Sequence, residues 1–122
     1  QGTVESVRQA RENYYEAAKL YQREGNNVKE ALSLNQAGIL SGNLGENQKA
    51  LEYFHQALPL YRAVEARRGE ADLLNNIGLV YATLGEQQKA LEYYRQALPL
   101  RRVVADRNGE AVTLNNIGLM YL

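Results

Sequence analysis

Residues 45–62 read GENQKALEYFHQALPLYR, and residues 85–102 read GEQQKALEYYRQALPLRR. The same interval of forty residues relates ADLLNNIGLVY at 71–81 to AVTLNNIGLMY at 111–121. A weaker copy stands a further forty residues upstream, with counterparts at Ala10, Tyr14, Ala17 and Leu20. A fixed period of this size is typical of a solenoid, in which each unit buries its apolar face against the next. The sequence therefore predicts stacked repeats with an extended surface rather than an enclosed pocket.

Each repeat has the periodicity of α-helices. Leu74, Ile77, Gly78 and Tyr81 fall at i, i+3, i+4 and i+7, which is one stripe of an amphipathic helix. We therefore predict an all-α solenoid of antiparallel helix pairs, with six helices over 4–23, 28–43, 46–65, 70–83, 86–105 and 110–122. The corresponding repeats are a partial one at 1–27, two complete ones at 28–69 and 70–109, and a partial one at 110–122.

Composition restricts the classes of partner. The chain carries 14 Lys and Arg against 14 Asp and Glu, so its net charge is zero. This balance gives no general attraction to phosphate backbones or anionic membranes. No cysteine is present, which excludes disulfides and thiol chemistry. The apolar stretches are too short to span a bilayer, and we expect a cytoplasmic protein whose native termini lie outside this sequence.

Two prolines, Pro59 and Pro99, stand late in the second helix of their repeats. Each lacks the N–H that would bond the carbonyl four residues earlier, and an interior proline costs about 3 kcal/mol. Either the helix bends there and continues, or it stops and restarts with proline at its first position. We expect the bend, because Leu100, Val103 and Val104 prolong the apolar stripe.

The repeat resembles the tetratricopeptide repeat, whose signature is carried here by Leu74, Ile77, Gly78, Tyr81, Ala90, Tyr94 and Ala97. The period of forty residues is longer than the usual one of about 34, and leucine replaces the signature tryptophan. The long form is similar to the repeats of kinesin light chains, spindle-orientation adaptors and cyanobacterial multi-repeat proteins. The resemblance implies a right-handed solenoid that binds protein partners in a concave groove.

The residue pattern contains no constellation typical of catalysis or cofactor binding. His55 is the only histidine and has no cysteine for company, whereas a metal site requires three or four converging ligands. The nine tyrosines suggest a stacking platform for single-stranded nucleic acid. However, four of them occupy repeat-core positions: Tyr14, Tyr81, Tyr94 and Tyr121. We therefore expect no enzyme activity, no cofactor, no metal and no nucleic-acid partner, with these tyrosines packed in the core.

Amide side chains recur on the first helix of each repeat, which lines the concave surface in the resembling family. Gln36, Asn76 and Asn116 would stack there as a ladder beside Ile39, Leu79 and Leu119, offering donors and acceptors to the main chain of a peptide. The alternative is that the amides bond backbone groups between helices and set repeat geometry. For Asn75 and Asn115 we favour the peptide-facing interpretation. The predicted peptide-binding residues are Asn35, Gln36, Ile39, Asn43, Asp72, Asn75, Asn76, Leu79, Asn115, Asn116 and Leu119.

The preferred function is therefore a scaffold that binds a peptide or helical segment of a partner protein in this groove. A free acidic C-terminus is an unexpected ligand, because Asp72 is the only charge that we place there. Two alternatives remain: a structural spacer or self-assembling array, and a helical repeat that binds nucleic acid. The first and last helices also present apolar residues without polar capping units, so we expect head-to-tail self-association of copies through them.

Overall fold

The computed structural model describes residues 3–122, which form six α-helices joined by short turns. The helices are α1 Val4–Arg23, α2 Asn27–Asn43, α3 Asn47–Ala63, α4 Arg67–Thr83, α5 Gln87–Val103 and α6 Arg107–Leu119. Within residues 3–122 there is no strand. The predicted all-α fold of paired helices is confirmed.

Two predicted helix starts were too late by about one turn. We placed the starts of the fourth and sixth helices at residues 70 and 110, whereas α4 begins at Arg67 and α6 at Arg107. In α6 the Asp106 carboxylate accepts the N–H of Gly109, so the cap lies before Arg107 and Glu110 falls in the first turn. The last helix also ends earlier than expected, at Leu119.

The chain divides into two compact units, residues Gln1–Val64 (unit 1) and Glu65–Leu122 (unit 2). In unit 1, α2 packs against both α1 and α3. In unit 2, α5 packs against α4 and α6, and α4 also touches α6. Within each unit, helices that follow one another in the chain therefore pack together, as helix pairs with short connections do.

An aromatic ring packed against a glycine holds the helix pair of each unit. In unit 2, a Cβ added to Gly78 would lie 2.5 Å from Cε1 of Tyr94, which is closer than non-bonded carbons approach. Tyr94 is 1 % exposed. In unit 1 the ring of Phe54 covers Gly38 in the same way. Alanines that are completely buried surround these contacts: Ala31, Ala37, Ala50 and Ala57 in unit 1, and Ala71, Ala90 and Ala97 in unit 2.

The expectation that four tyrosines occupy the core holds for Tyr94 only. Tyr81 is half-buried, with its ring stacked on Tyr93 at a centroid distance of 5.6 Å. Tyr14 and Tyr121 are 40 % and 66 % exposed. Equivalent positions in a repeat therefore differ in burial, because burial depends on which helix covers each position.

Both proline-containing helices continue through their prolines rather than stopping there, while the expected bend stays a prediction. Pro59 lies inside α3 and Pro99 inside α5. Both prolines are exposed, and so are His55 and Arg95, four residues earlier. The missing hydrogen bond is therefore on the solvent side of the helix, where water can replace it.

Five turns contain a residue with a positive φ, which is glycine in three of them and another residue in two. Gly25, Gly45 and Gly85 have φ between 70° and 79°, the left-handed region that glycine adopts without strain. In the turns after α3 and α5, the corresponding residues are Glu65 and Ala105, with φ of 54° and 56°. These two turns therefore carry backbone strain that the glycine turns avoid.

Candidate peptide-binding surface

In unit 2, α4 presents a mixed amide and apolar stripe to solvent. Asp72, Asn76 and Leu79 are spaced i, i+4 and i+7, which places them on one side of the helix. Asp72 is exposed, Asn76 is half-buried, and Leu79 is 43 % exposed. A large apolar side chain next to an amide suits a surface that contacts both the side chains and the main chain of a peptide.

Helix α6 carries the same stripe one repeat later. Val112 is 42 % exposed, Asn116 is half-buried and Leu119 is 59 % exposed. We define the amide–leucine face of unit 2 by these residues of α4 and α6: Asp72, Asn76, Leu79, Val112, Asn116 and Leu119. Because α4 and α6 touch, the two stripes belong to one surface.

Asn75 lies inside the unit rather than at this surface. It is 6 % exposed, and its Oδ1 accepts hydrogen bonds from Nδ2 of Asn116 at 3.1 Å and from Oγ1 of Thr113 at 3.4 Å. Thr113 is itself fully buried. The Asn75 amide therefore joins α4 to α6 and fixes the direction in which the Asn116 amide points. Asn115, one residue earlier on α6, is exposed.

Arg101 neutralises the one charge on the amide–leucine face. Its side chain is 5 % exposed, and its Nη1 donates both to Oδ1 of Asp72 and, at 3.1 Å, to Oδ2 of Asp106. The N–H of Gly109 and the positive charge of nearby arginines hold the pKa of Asp106 below its ordinary value. The carboxylates of α4 and of the α6 cap thus share one buried guanidinium, and they add little net charge to the surface.

In unit 1, the predicted residues all lie on α2. Asn35 and Ile39 are half-buried, whereas Gln36 and Asn43 are exposed. Gln36, Ile39 and Asn43 follow the i, i+3 and i+7 spacing of a single helix side. Helix α2 therefore offers an amide and an aliphatic side chain on one side, as α4 does.

Sequence reasoning missed a buried ion pair in unit 1. Arg11 is 4 % exposed, and its Nη1 donates to Oε1 of Glu46 at 2.5 Å. The hydrogen bond from Arg11 lowers the pKa of Glu46, although partial burial of the carboxylate opposes this shift. The available signal was a departure from the repeat: Arg11 stands where Leu51 and Leu91 stand in the other copies. Arg101 likewise replaces Tyr61.

The described residues were also compared with the requirements of a metal site and of a membrane span. Among residues 3–122, no three His, Cys, Asp or Glu side chains converge as metal ligands would, and His55 is exposed. Over the same residues, none of the helices has both the length and the apolar character that crossing a bilayer requires.

Comparison with known proteins identifies the repeat. The profile of the tetratricopeptide repeat matches this chain over residues 29–102 and again over residues 69–122. A search of curated proteins finds no significant match.

Proposed function

We infer that this chain, which belongs to the tetratricopeptide repeat family, is an interaction module that holds a segment of a partner protein against the amide–leucine face. Proteins built from this repeat generally mediate protein–protein interactions. They are typically scaffolds rather than enzymes, and our proposal assigns no catalytic step to the chain.

The observation that carries the proposal is the state of the Asn116 amide. One of its N–H groups is committed to Asn75 at 3.1 Å, which orients the side chain. A primary amide has two donors and an acceptor, so a second N–H and the carbonyl oxygen remain for a ligand. An amide held in one orientation beside the exposed Leu119 is suited to bonding a peptide main chain while the leucine packs on a side chain.

The ligand that fits is an uncharged segment with apolar side chains. Leu79 and Leu119 supply exposed aliphatic area, and Val112 adds to it. Asp72 is already bonded to Arg101, whose guanidinium is buried, so the face offers neither a free cation nor an unpaired anion. A ligand anchored by a terminal carboxylate would find no positive charge here.

Unit 1 is proposed to contribute its own contacts through α2. Gln36 and Asn43 are exposed amides, and the half-buried Ile39 lies on the same side of the helix. Asn35 and Asn115 complete the proposed contact set, Asn35 at the half-buried edge of that side and Asn115 at the exposed surface of α6. Asn75 takes part only by orienting Asn116.

The test is peptide binding by the full chain. A display library of short segments is selected on the immobilised protein, and binders are measured against wild type and an Asn76→Ala/Asn116→Ala double variant. Each lost hydrogen bond to an uncharged group is worth about 0.5–1.5 kcal/mol, so affinity should fall about fivefold or more. A Leu79→Ser/Leu119→Ser variant should also lose binding.

The matched control is Glu92→Ala, an exposed substitution on α5 outside the proposed face. It should bind the selected segments as wild type does. Selection of no segment above background, or equal binding by wild type and the double variant, would refute the proposed use of this surface.

A second candidate, self-association of copies, has its own supporting observation. Gly118 has open space where Gly78 meets the Tyr94 ring, and Tyr14, the counterpart of Tyr94 two repeats earlier, is 40 % exposed. Tyr14 of one copy packing on Gly118 of another would repeat the glycine–ring contact of the core. Such a head-to-tail contact propagates unless it closes into a ring.

Sedimentation over a range of concentrations tests this second candidate. Association that rises with concentration and disappears in Gly118→Leu supports it, because the larger side chain would block the ring. A chain that stays monomeric at millimolar concentration excludes it and leaves the peptide-binding proposal unaffected.

A further inference from the structure

A small cavity in unit 1 lies apart from the proposed peptide contacts. It has a volume of about 50 Å³ and is lined by Tyr15, Lys19 and Gln22 of α1, Glu30 and Leu34 of α2, and Gln56 of α3. At about 100° per residue, Glu30 lies half a turn around α2 from Ile39. The cavity therefore opens on the opposite side of α2 from the residues that we assign to the peptide.

The cavity contains the carboxylate of a largely buried glutamate. Glu30 is 9 % exposed, and within residues 3–122 its carboxylate makes no hydrogen bond and no ion pair. Its oxygens are not among the fully enclosed polar atoms that lack a partner, so they face the open cavity. Burial raises its pKa above the ordinary value. A desolvated carboxylate is costly unless a cation or a set of donors satisfies it.

The repeat itself shows which group satisfies this carboxylate. Forty and eighty residues after Glu30 the sequence again has glutamate, at Glu70 and Glu110. In unit 2, Nε of Arg102 donates to Oε2 of Glu110 at 2.9 Å. Arg102 precedes Glu110 by eight residues, and the residue eight before Glu30 is Gln22. Gln22 lines the cavity, and no hydrogen bond joins its side chain to Glu30.

Lys19, the one cation among the residues that line the cavity, is engaged elsewhere. Its Nζ lies 3.0 Å from Oε2 of Glu16 and 4.8 Å from the centroid of the Tyr15 ring. The raised pKa of Glu30 has burial as its cause. The first repeat therefore keeps the acid of the Arg102–Glu110 pair and lacks its guanidinium.

We propose that the Glu30 cavity binds the guanidinium group of an arginine side chain carried by a partner protein. The carboxylate takes two N–H groups in a bidentate contact, as guanidinium and carboxylate geometry favours. Gln22 and Gln56 also line the cavity, and their amide oxygens can accept the remaining N–H groups of the guanidinium. Tyr15 also lines the cavity, and its ring adds aromatic surface beside the cation in addition to the contact that it makes with Lys19. A lysine ammonium is not planar, so it would neither make the bidentate contact with the carboxylate nor stack on the Tyr15 ring as a guanidinium does.

The experiment is a titration of the full isotope-labelled chain with N-acetyl-arginine methylamide, followed by NMR at the Glu30 carboxyl and the Gln22 and Gln56 amides. These three signals should move together and saturate in the millimolar range. The citrulline analogue, which has the same shape without the charge, should bind about tenfold more weakly or not at all. The Glu110 carboxyl, already held by Arg102, should not move.

Two variants locate the effect. Glu30→Gln removes the charge without removing volume, and it should weaken arginine binding about tenfold. Gln22→Arg supplies the guanidinium from the chain itself, so it should lower the pKa of Glu30 and abolish binding of the arginine compound. Equal binding by citrulline or by an N-acetyl-lysine methylamide would overturn the guanidinium assignment. Unchanged binding in Glu30→Gln or Gln22→Arg would overturn the site.

Discussion

Unit 1 and unit 2 each bury one arginine, and they do so at different places in the repeat. Arg11 in unit 1 extends from α1 to Glu46, before the start of α3. Arg101 in unit 2 lies near the end of α5 and joins Asp72 on α4 to the cap residue of α6, Asp106. Arg11 also donates to Oγ of Ser41 on α2 at 3.5 Å, so each arginine joins three helices, Arg11 through one carboxylate and one hydroxyl and Arg101 through two carboxylates.

The apolar interior, by contrast, is the same in both units. Phe54 covers Gly38 in unit 1 as Tyr94 covers Gly78 in unit 2, and the surrounding alanines recur at equivalent positions. Small residues therefore set the same close helix spacing in both units. The ion pairs at the helix ends, by contrast, involve different residues in each unit. Substitutions in the shared interior should therefore cost more than substitutions in the charges particular to one unit.

The largest effect is expected at the glycine–ring contact. Gly78→Leu should destabilise unit 2 by about 3 kcal/mol, at the upper end of overpacking costs, because even a Cβ would meet the Tyr94 ring at 2.5 Å. Residue-resolved hydrogen exchange measures the loss unit by unit.

Gly42→Ala is the control for that substitution. Gly42 is inside α2 and has open space around it, so alanine should stabilise unit 1 by about 0.5–1 kcal/mol. If Gly78→Leu were as stable as wild type, the close helix approach in unit 2 would be wrong.

The buried arginine of unit 1 should have the next largest effect. Arg11→Ala should cost about 2 kcal/mol, the loss of a hydrogen bond between charged groups. Arg11→Leu restores the residue of the other copies and should recover most of that loss by filling the space. Equal destabilisation by both substitutions in denaturant unfolding would contradict this explanation.

Acid should weaken the same contact. The pKa of Glu46 is lowered in the folded chain, so the stability that it contributes is complete above the ordinary carboxyl pKa of about 4.3. That stability is lost as the pH falls through the lowered pKa. Arg11→Leu should therefore unfold with less dependence on pH between about 5 and 3. An unfolding free energy with the same pH slope in wild type and variant would assign the acid sensitivity to other carboxyls.

The equivalent asparagines Asn75 and Asn115 should differ less strongly in their effect on the free energy of unfolding. Asn75→Ala should cost about 1–2 kcal/mol, because it removes the buried acceptor of Asn116 and Thr113. Asn115→Ala, at the exposed counterpart on α6, should change stability by less than about 0.5 kcal/mol. Thermal unfolding of the two variants side by side provides the measurement, and equal melting temperatures would remove the structural role of Asn75.

The smallest effect is expected in the turns, where unit 2 contains both strained residues, Glu65 and Ala105. Ala105→Gly should stabilise unit 2 by about 0.5–1 kcal/mol, since glycine adopts the positive φ without a Cβ clash. Gly85→Ala should destabilise unit 2 by about the same amount, because it places a Cβ at a residue with a positive φ. Denaturant midpoints that move in the same direction for both would show that φ does not control these turns.

Much of the fold follows from local patterns in the sequence. The spacing of Leu74, Ile77 and Tyr81 predicted the helix that contains them, and the forty-residue interval predicted its recurrence. Helix starts were less accurate, because the Asp106 cap acts one turn before the first apolar residue of the stripe. Within the candidate site, Leu79 and Leu119 are exposed, and their contact with a peptide stays a prediction.

The equivalent asparagines of two repeats, Asn75 and Asn115, show what the sequence alone does not predict. Asn75 and Asn115 occupy the same position in identical LNNIGL segments, and we expected both to face a peptide. Asn75 is 6 % exposed and bonded to α6, whereas Asn115 is exposed. No local rule separates them, because the difference arises from the helix that packs beside each one.

The sequence alone determined the helices, their order and the repeated small and apolar positions, since these depend on periodicity and side-chain size within a few turns of chain. Only the tertiary structure decided which polar groups are buried. Arg11, Glu30 and Arg101 are charged residues that local reasoning places in water. Their burial depends on segments some thirty residues away in the chain, which bring Glu46 to Arg11 and Asp72 to Arg101. At Glu30 no such segment supplies a cation, because Gln22 stands where unit 2 has Arg102.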